Sequence, residues 1–202
     1  FGSKFNQDSI FKYGDISVVS FHATKVLNTF EGGAIICSDP LIKDKIDQIR
    51  NFGINEDGFI NYLGINGKMS EFNSLLGTLQ LDEMPNILRK RKIIANFYNE
   101  SFSSNSNIHI PNFLFDDGYN YAYYPILIKE SSPLDRDTLF DIFLSSDIFL
   151  KKYYFPLITD TKPFKKYQKD FPIARSVASN VLCLPIYPDF PREKQKVIID
   201  IL

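Results

Sequence analysis

Apolar and polar positions divide the start of the chain into two strand-like runs and one helix. The segments 15–21 (DISVVSF) and 33–38 (GAIICS) are short, apolar and bounded by glycine or polar residues, which predicts two buried strands. In the segment 39–53, isoleucines recur at helical spacing behind Pro40, a residue that suits the first turn of a helix. Two strands and a helix in close succession indicate an α/β domain.

A loop separates this region from a second helical region. Residues 54–69 (INEDGFINYLGINGKM) are rich in glycine and asparagine and lack periodicity, so they predict a loop. Ser70 can cap a helix with one apolar face, formed by Phe72, Leu75, Leu76 and Leu79. Within this helix Gly77 costs about 1 kcal/mol relative to alanine and therefore predicts a close backbone contact, while Pro85 predicts a kink or a break.

The second half of the chain has a different character. An amphipathic helix with a basic exposed side is predicted over 87–102, followed by a polar link. The remaining predicted elements are a strand at 121–128, a helix at 132–146 opened by serine and proline, an extended segment at 148–158, a short strand at 181–188 and a helix at 191–202. We place a domain boundary within 85–105 and assign residues 1–90 to part of one α/β domain and residues 91–202 to a C-terminal α+β domain.

Composition narrows the class of protein. The chain has 202 residues, 44% of them hydrophobic, which suffices for one large core or two modest ones. Its net charge of −1 gives no argument for binding nucleic acid or an anionic membrane surface, and there is no apolar run of about 18 residues that would predict a transmembrane helix. Cys37 and Cys183 lie in apolar runs and predict reduced core residues, as expected for a cytoplasmic protein, and two cysteines cannot build a zinc site.

The segment 18–36 (VVSFHATKVLNTFEGGAII) places Ser20, His22 and Lys25 between the two predicted strands. A lysine that forms a Schiff base must be neutral for part of the time, which requires desolvation or a nearby positive charge. For a cofactor such as pyridoxal phosphate, Ser20 could provide a hydroxyl to the phosphate and His22 could lie beside the ring.

Other residues of the same segment fit this chemistry, but the segment also has a simpler interpretation. Thr24 or Thr29 could add a hydrogen bond, and Gly32 and Gly33 allow the backbone to turn sharply beside a ligand. From local sequence alone, however, a solvated surface lysine is the more frequent case, since lysine is rarely buried. A histidine after a strand is likewise more often a hydrogen-bonded structural residue.

Three motifs in order carry a resemblance to a known family. They are SFHATKVLNTFEGGAI (20–35), GINGKMSEFNSLLG (64–77), and YYFPL (153–157) with VLCLPIYP (181–188). Together they resemble the DegT/DnrJ/EryC1/StrS family of pyridoxal-phosphate nucleotide-sugar aminotransferases, and most of all the branch that forms viosamine. The resemblance implies the aspartate-aminotransferase-like α/β fold (fold type I), with part of the large sheet domain in residues 1–90 and a small C-terminal α+β domain.

The resemblance also implies roles for individual residues. Lys25 corresponds to the Schiff-base lysine, Ser20 to a phosphate ligand and His22 to a residue at the cofactor. Asn66 corresponds to the residue that reaches the phosphate bound by the other subunit, which implies a homodimer with shared active sites. Lys68 stands where the family often has arginine, so the planar fork of that side chain is lost.

Substrates and further residues follow from the same resemblance. Tyr153 and Tyr154 fall where relatives place residues near the sugar, although a half-buried aromatic strand explains them equally well. The implied substrates are L-glutamate and a nucleotide-linked keto-deoxysugar such as dTDP-4-keto-6-deoxyglucose, for building surface polysaccharide or lipopolysaccharide. The implied cofactor is pyridoxal 5′-phosphate, without a metal, a nucleic acid or a membrane as partner.

One family feature lies outside the chain. The aspartate that pairs with the pyridinium nitrogen is expected upstream of Phe1, and Asp15 is a poor substitute because it begins the strand that ends at Ser20, roughly 15 Å away. The chain therefore resembles the C-terminal part of such an enzyme and is expected to be inactive by itself. A non-catalytic fragment and an aminotransferase specific for the sugar's C3 stay open as alternatives, while Lys25 argues against the related dehydratases, in which histidine replaces it.

Overall fold

The computed structural model describes all residues from Phe1 to Leu202 and divides into two compact units. The first unit comprises Phe1–Asn86 and the second Ile87–Leu202. A single helix runs through the boundary between them, so the division falls inside a regular element. The assignment of residues 1–90 to a large cofactor-binding domain stays a prediction.

The first unit contains four strands, one complete helix and the start of a second. These are β1 (Lys4–Phe5), β2 (Asp8–Ser9), β3 (Ile16–Ser20), β4 (Gly33–Cys37), α1 (Pro40–Arg50) and the first half of α2 (Glu71–Ser101). β3 and β4 are antiparallel and pair from Ile16 opposite Cys37 to Ser20 opposite Gly33. Both strands predicted from the sequence are therefore confirmed as strands.

The predicted burial of these two strands is wrong. Val19 is the one buried residue of β3, and Val18 is 79% exposed. The reason is that β3 pairs with β4 alone, so a two-stranded sheet leaves most of its side chains uncovered in this unit. The apolar, β-branched residues correctly identified the two strands, but they did not show which other elements cover the side chains.

Both helices of the first unit begin at the residues that their caps predict. Asp39 accepts a hydrogen bond of 2.8 Å from the backbone N–H of Leu41, with Pro40 in the first turn of α1. Ser70 accepts one of 3.2 Å from the N–H of Asn73, and α2 follows directly. α2 does not end at Pro85: it continues to Ser101, because the loss of one backbone donor is tolerated when the neighbouring turns keep theirs.

The second unit packs helices against a three-stranded antiparallel sheet. Its elements are the end of α2, β5 (Ile108–His109), β6 (Tyr124–Ile128), α3 (Arg136–Ser145), α4 (Pro172–Asn180), β7 (Val181–Leu184) and α5 (Arg192–Ile201), with sheet order β5–β6–β7. Side chains in its core that are almost fully buried include Tyr98, Tyr124, Ile126, Phe143, Leu182 and Ile198. The unit thus combines helices with an antiparallel sheet, and its assignment as the small C-terminal domain stays a prediction.

Two buried tyrosines at the centre of this core have hydrogen-bond partners. The rings of Tyr98 and Tyr124 lie 4.9 Å apart. The hydroxyl of Tyr98 donates to the carbonyl of Pro185 at 3.1 Å, and that of Tyr124 donates to Asn99 at 2.7 Å. Burial raises the pKa of both phenols, so they are neutral donors at any physiological pH.

Three expectations for the second unit need correction. α3 begins at Arg136, not at residue 132, because Asp135 caps it by accepting from the N–H of Thr138 at 2.8 Å. The segment 148–158 is not an extended strand: Lys151 pairs with Cys183 in an isolated bridge, and turns follow. Helix α4 was not predicted, because it is short and alternates small and polar residues.

Both cysteines are free thiols: Cys183 is buried and Cys37 is half-buried. None of the helices combines the length and the apolar character needed to cross a membrane.

Candidate active site

Residues 21–32, here called the lysine loop, leave β3 and return to β4. The backbone N–H of Phe21 donates to the carbonyl of Gly32 at 2.9 Å, and the N–H of Thr29 donates to the carbonyl of Phe21 at 2.9 Å. A turn inside the loop is closed by the N–H of Lys25, which donates to the carbonyl of His22 at 2.9 Å. The backbone therefore holds Lys25 at a defined turn beyond the end of β3.

The side chain of Lys25 is exposed, and its Nζ makes no hydrogen bond or ion pair. Its backbone carbonyl accepts a hydrogen bond of 3.3 Å from the amide of Asn28. The backbone of Lys25 is thus held by hydrogen bonds, while its primary amine makes no hydrogen bond or ion pair.

Ser20 and His22 lie at the junction between β3 and the lysine loop. Ser20 is the exposed last residue of β3, and its Oγ accepts a hydrogen bond of 3.3 Å from the N–H of His22. Nδ1 of His22 accepts from the N–H of Thr24 at 3.2 Å and lies 3.0 Å from the Thr24 hydroxyl. Because Nδ1 accepts, the neutral ring carries its proton on Nε2, which lies 3.8 Å from Glu31.

The two glycines that end the lysine loop meet different requirements. Gly32 has φ +135°, and a Cβ there would lie 3.0 Å from Sδ of Met69. A Cβ on Gly33 would lie 2.6 Å from the carbonyl oxygen of Val19. Gly32 therefore permits the sharp turn that the sequence predicts, and Gly33 permits the close approach of β4 to β3, which was not predicted.

One face of α2 packs against the lysine loop through polar side chains. The amide of Asn73 donates to the carbonyl of Glu31 at 2.8 Å. Two turns further along, Oε1 of Gln80 accepts from the backbone N–H of Asn28 at 3.2 Å. Sequence reasoning missed both residues, and the available signal was their spacing of seven, which places them on the same helix face.

Gly77 lies between these two contacts, and its neighbour Thr29 explains why the helix has a glycine at this position. A Cβ on Gly77 would lie 3.0 Å from Cγ2 of Thr29, so the predicted close contact is confirmed. Thr29 is fully buried and donates its hydroxyl to the carbonyl of Glu31 at 2.7 Å. Thr29 is therefore a packing residue, and Thr24 is the threonine that remains beside His22.

Asn66 and Lys68 lie in a second segment, which contacts Asn51, the residue that follows α1. Asn66 pairs with Asn51 in an isolated backbone bridge. Nζ of Lys68 donates to Oδ1 of Asn51 at 3.1 Å and lies 4.1 Å from the ring centroid of Phe52. Both side chains are exposed, and neither is bonded to the lysine loop within the chain.

Tyr153 and Tyr154 belong to the second unit. Their ring centroids are 4.8 Å apart, and the edge of Tyr123 meets Tyr153 at 5.3 Å. Tyr154 is 70% exposed, and Tyr153 is half-buried. With Phe140 and Phe155 they line a cleft of about 430 Å³.

Comparison with known proteins places these features in a family. Residues 1–202 match the model of the DegT/DnrJ/EryC1/StrS aminotransferase family over the whole chain. The chain belongs to this family. Within it, the chain is 39% identical to dTDP-4-amino-4,6-dideoxy-D-glucose transaminase of Shigella dysenteriae, over 98% of this chain and 55% of the relative. It is 38% identical to the Escherichia coli protein of the same name, over 87% of this chain and 48% of that protein.

Two solved structures have the same fold as this chain. DesI, crystallised with its TDP-sugar product, superimposes with a TM-score of 0.88 at 25% identity, over 99% of this chain and 52% of DesI. PseC of Helicobacter pylori, an aminotransferase of pseudoaminic acid biosynthesis, gives a TM-score of 0.88 at 24% identity, over 99% of this chain and 55% of PseC. The chain thus has the fold of these sugar aminotransferases and spans about half of their length.

The residues of the lysine loop fit pyridoxal phosphate, the cofactor that the family implies. The aldehyde of this cofactor reacts with a primary amine, and Nζ of Lys25 is one that no protein group engages. Its phosphate is commonly bound by hydroxyls and backbone amides, and the Oγ–H of Ser20 is exposed at the end of β3. The donor set is therefore suitable in its chemistry.

Gly77→Val is expected to destabilise the protein by about 1–3 kcal/mol, because the added methyl groups meet Thr29. The gain in helix propensity over glycine, about 0.4 kcal/mol, is too small to offset this. The exposed neighbour Thr78→Val is the matched control and should change stability by less than about 0.5 kcal/mol. The free energies come from urea unfolding followed by circular dichroism, and equal values for the two variants would contradict the tight contact.

Proposed function

We propose that the full-length protein containing this chain is a pyridoxal-phosphate-dependent aminotransferase. It moves the amino group of L-glutamate to a nucleotide-linked keto-deoxysugar, dTDP-4-keto-6-deoxyglucose, in the cytoplasm, for the synthesis of surface polysaccharide. The observation that carries the proposal is the unengaged amine of Lys25, fixed beyond the end of β3 in a chain 39% identical to a sugar transaminase.

Ser20 at the end of β3, together with Lys25 and His22 of the lysine loop, binds the cofactor. Lys25 attaches it, and Ser20 binds its phosphate through the hydroxyl. His22 lies beside its ring, held in one tautomer by Thr24. When bound, pyridoxal phosphate supplies an aldehyde that accepts the amino group and a conjugated ring that stabilises negative charge on the reacting carbon.

Lys25 moves the protons of the reaction. With glutamate bound, its amine would take the proton from Cα and return it to the aldehyde carbon (C4′) of the cofactor, so that hydrolysis releases the 2-oxo acid and the amino group stays behind. With the keto-sugar bound, Lys25 would carry a proton in the reverse direction, from C4′ to the sugar carbon, whose oxygen leaves as water and which keeps the amino group. Nζ of Lys25 alternates between its amine and ammonium forms, and after both half-reactions it is back in its starting form.

The same proposal includes a homodimer with shared active sites. Asn66 and Lys68 are exposed and are not bonded to the lysine loop of their own chain. Placed opposite a second copy, Asn66 binds the phosphate held there, and Lys68 adds positive charge toward the anionic substrate. Tyr153 and Tyr154 contact the sugar through their rings.

With dTDP-4-keto-6-deoxyglucose and L-glutamate, the full-length protein should form a nucleotide-linked amino sugar whose amine is on C4, as read by NMR. Lys25→Ala should lower turnover by about 10³-fold or more, because it removes both the attachment and the proton carrier. Lys43→Ala, which removes an exposed lysine paired with Asp47 on α1, is the control and should retain activity.

Two results would change the assignment. An amine on C3 would identify the alternative sugar aminotransferase of the same family. Absence of transfer to any nucleotide-linked keto-sugar by the full-length, cofactor-loaded protein would favour the non-catalytic alternative.

Mixing two inactive variants tests whether the active sites are shared. Lys25→Ala and Asn66→Asp damage the same site from opposite subunits, and a carboxylate at 66 repels the phosphate. After reassociation in equal amounts, half of the dimers carry one intact site, so activity should recover to about one quarter of the unmodified enzyme. Failure of the mixture to recover would show that Asn66 serves its own subunit or none.

A further inference from the structure

Residues 152–156, here called the aromatic loop, have little backbone pairing of their own. The last regular contact before them is the bridge in which Cys183 donates to the carbonyl of Lys151 at 2.8 Å. Within the loop the N–H of Phe155 donates to the carbonyl of Lys152 at 2.9 Å, which closes one turn. Apart from a contact between the backbone N–H of Tyr153 and the thiol of Cys183, the position of the two tyrosines therefore depends on side-chain contacts.

The most deeply buried of these contacts comes from Arg136, the first residue of α3. It is 4% exposed, and its guanidinium lies 4.7 Å from the ring centroid of Phe155. Nη1 donates to the carbonyl of Ala178 on α4 at 2.9 Å. A guanidinium is planar and weakly hydrated, so it can be buried against an aromatic face while bonded at its edge. Arg136 thus connects three separate parts of the unit.

The second contact comes from Lys152 at the start of the aromatic loop. Its Nζ donates to Oδ1 of Asp137 at 2.5 Å and lies 4.1 Å from the ring centroid of Phe140. Asp137 also accepts a hydrogen bond of 3.3 Å at Oδ2 from Nη2 of Arg136, whose Nε lies 2.7 Å from Oδ1. The two cations lower the pKa of Asp137, Lys152 first, so this carboxylate stays ionised between them.

These contacts hold the aromatic loop at both ends. Lys152 is bound through Asp137 and Phe140, and Phe155 is bound through Arg136, while Tyr153 and Tyr154 lie between them. Both anchors start from the first turn of α3, at adjacent residues. A displacement of that turn would therefore move both tyrosine rings together.

We propose that Arg136, assisted by Asp137, is a positioning residue for the sugar acceptor, because it fixes the aromatic loop that carries Tyr153 and Tyr154. This inference rests on the proposed function, in which those two rings contact the sugar. Arg136 itself touches neither substrate, and its burial beneath Phe155 leaves the rings to form the binding surface. The expected signature is selective: binding of the keto-sugar depends on Arg136, whereas reaction with glutamate does not.

The experiment compares three variants of the full-length, cofactor-loaded protein. Arg136→Met and Lys152→Met each remove one anchor and keep the length of the side chain. Arg192→Met is the matched control, because Arg192 also stacks on a ring, Phe97 at 3.1 Å, but belongs to α5 and does not contact the aromatic loop. The rate with L-glutamate and the KM for the keto-sugar are measured as separate half-reactions, and calorimetry gives the Kd of the nucleotide-linked amino sugar without turnover.

In Arg136→Met, the KM for the keto-sugar and the Kd of the amino sugar should rise about tenfold, while the glutamate half-reaction changes by less than about twofold. Lys152→Met should show the same selectivity with a smaller rise, and it decides the question if Arg136→Met does not fold. Equal losses in both half-reactions, or no change in either, would overturn the inference. The proposed function fails on a different result, namely no transfer to the sugar by the unmodified protein.

Discussion

The close contact between Thr29 and Gly77 is the constraint on which the presentation of Lys25 depends. A Cβ at position 77 would lie 3.0 Å from Cγ2 of Thr29, so glycine lets α2 lie close to the lysine loop without displacing it. The contact places Asn73 and Gln80, one turn to either side, within hydrogen-bond distance of the loop backbone. A loop of twelve residues is thereby fixed by three positions of one helix face, and the lysine at its turn takes a defined position.

The chemistry of the lysine loop follows from which groups are already engaged. His22, Thr24, Asn28 and Thr29 all have partners within the first unit. The amine of Lys25 has none, and the hydroxyl proton of Ser20 has no acceptor in the chain. Most polar groups of this region are therefore hydrogen-bonded within the chain, and the amine of Lys25 and the hydroxyl of Ser20 stay available. An amine can react with an aldehyde and a hydroxyl can bind an anion, so these two groups suit a ligand that carries both.

Local signals were sufficient to predict most elements and to place Ser20, His22 and Lys25 at and just beyond the end of β3. Asp39 and Ser70 identified the starts of α1 and α2, because capping depends on a few neighbouring residues. The exposure of Val18 and the passage of α2 through Pro85 were not predictable in this way, since they depend on what packs around these residues. Asn73, Gln80 and Arg136 were missed for the same reason: a polar residue on a helix resembles a solvated one until its partners are known.

Covalent trapping tests the central claim about Lys25 most directly. The full-length protein is incubated with pyridoxal phosphate, reduced with borohydride, digested with trypsin and examined by mass spectrometry. We expect one labelled peptide spanning residues 13–43, because modification of Lys25 blocks the only tryptic site between Lys12 and Lys43. Label spread over Lys4, Lys68 and other exposed lysines, with residues 13–25 and 26–43 recovered as separate unlabelled peptides, would contradict the account.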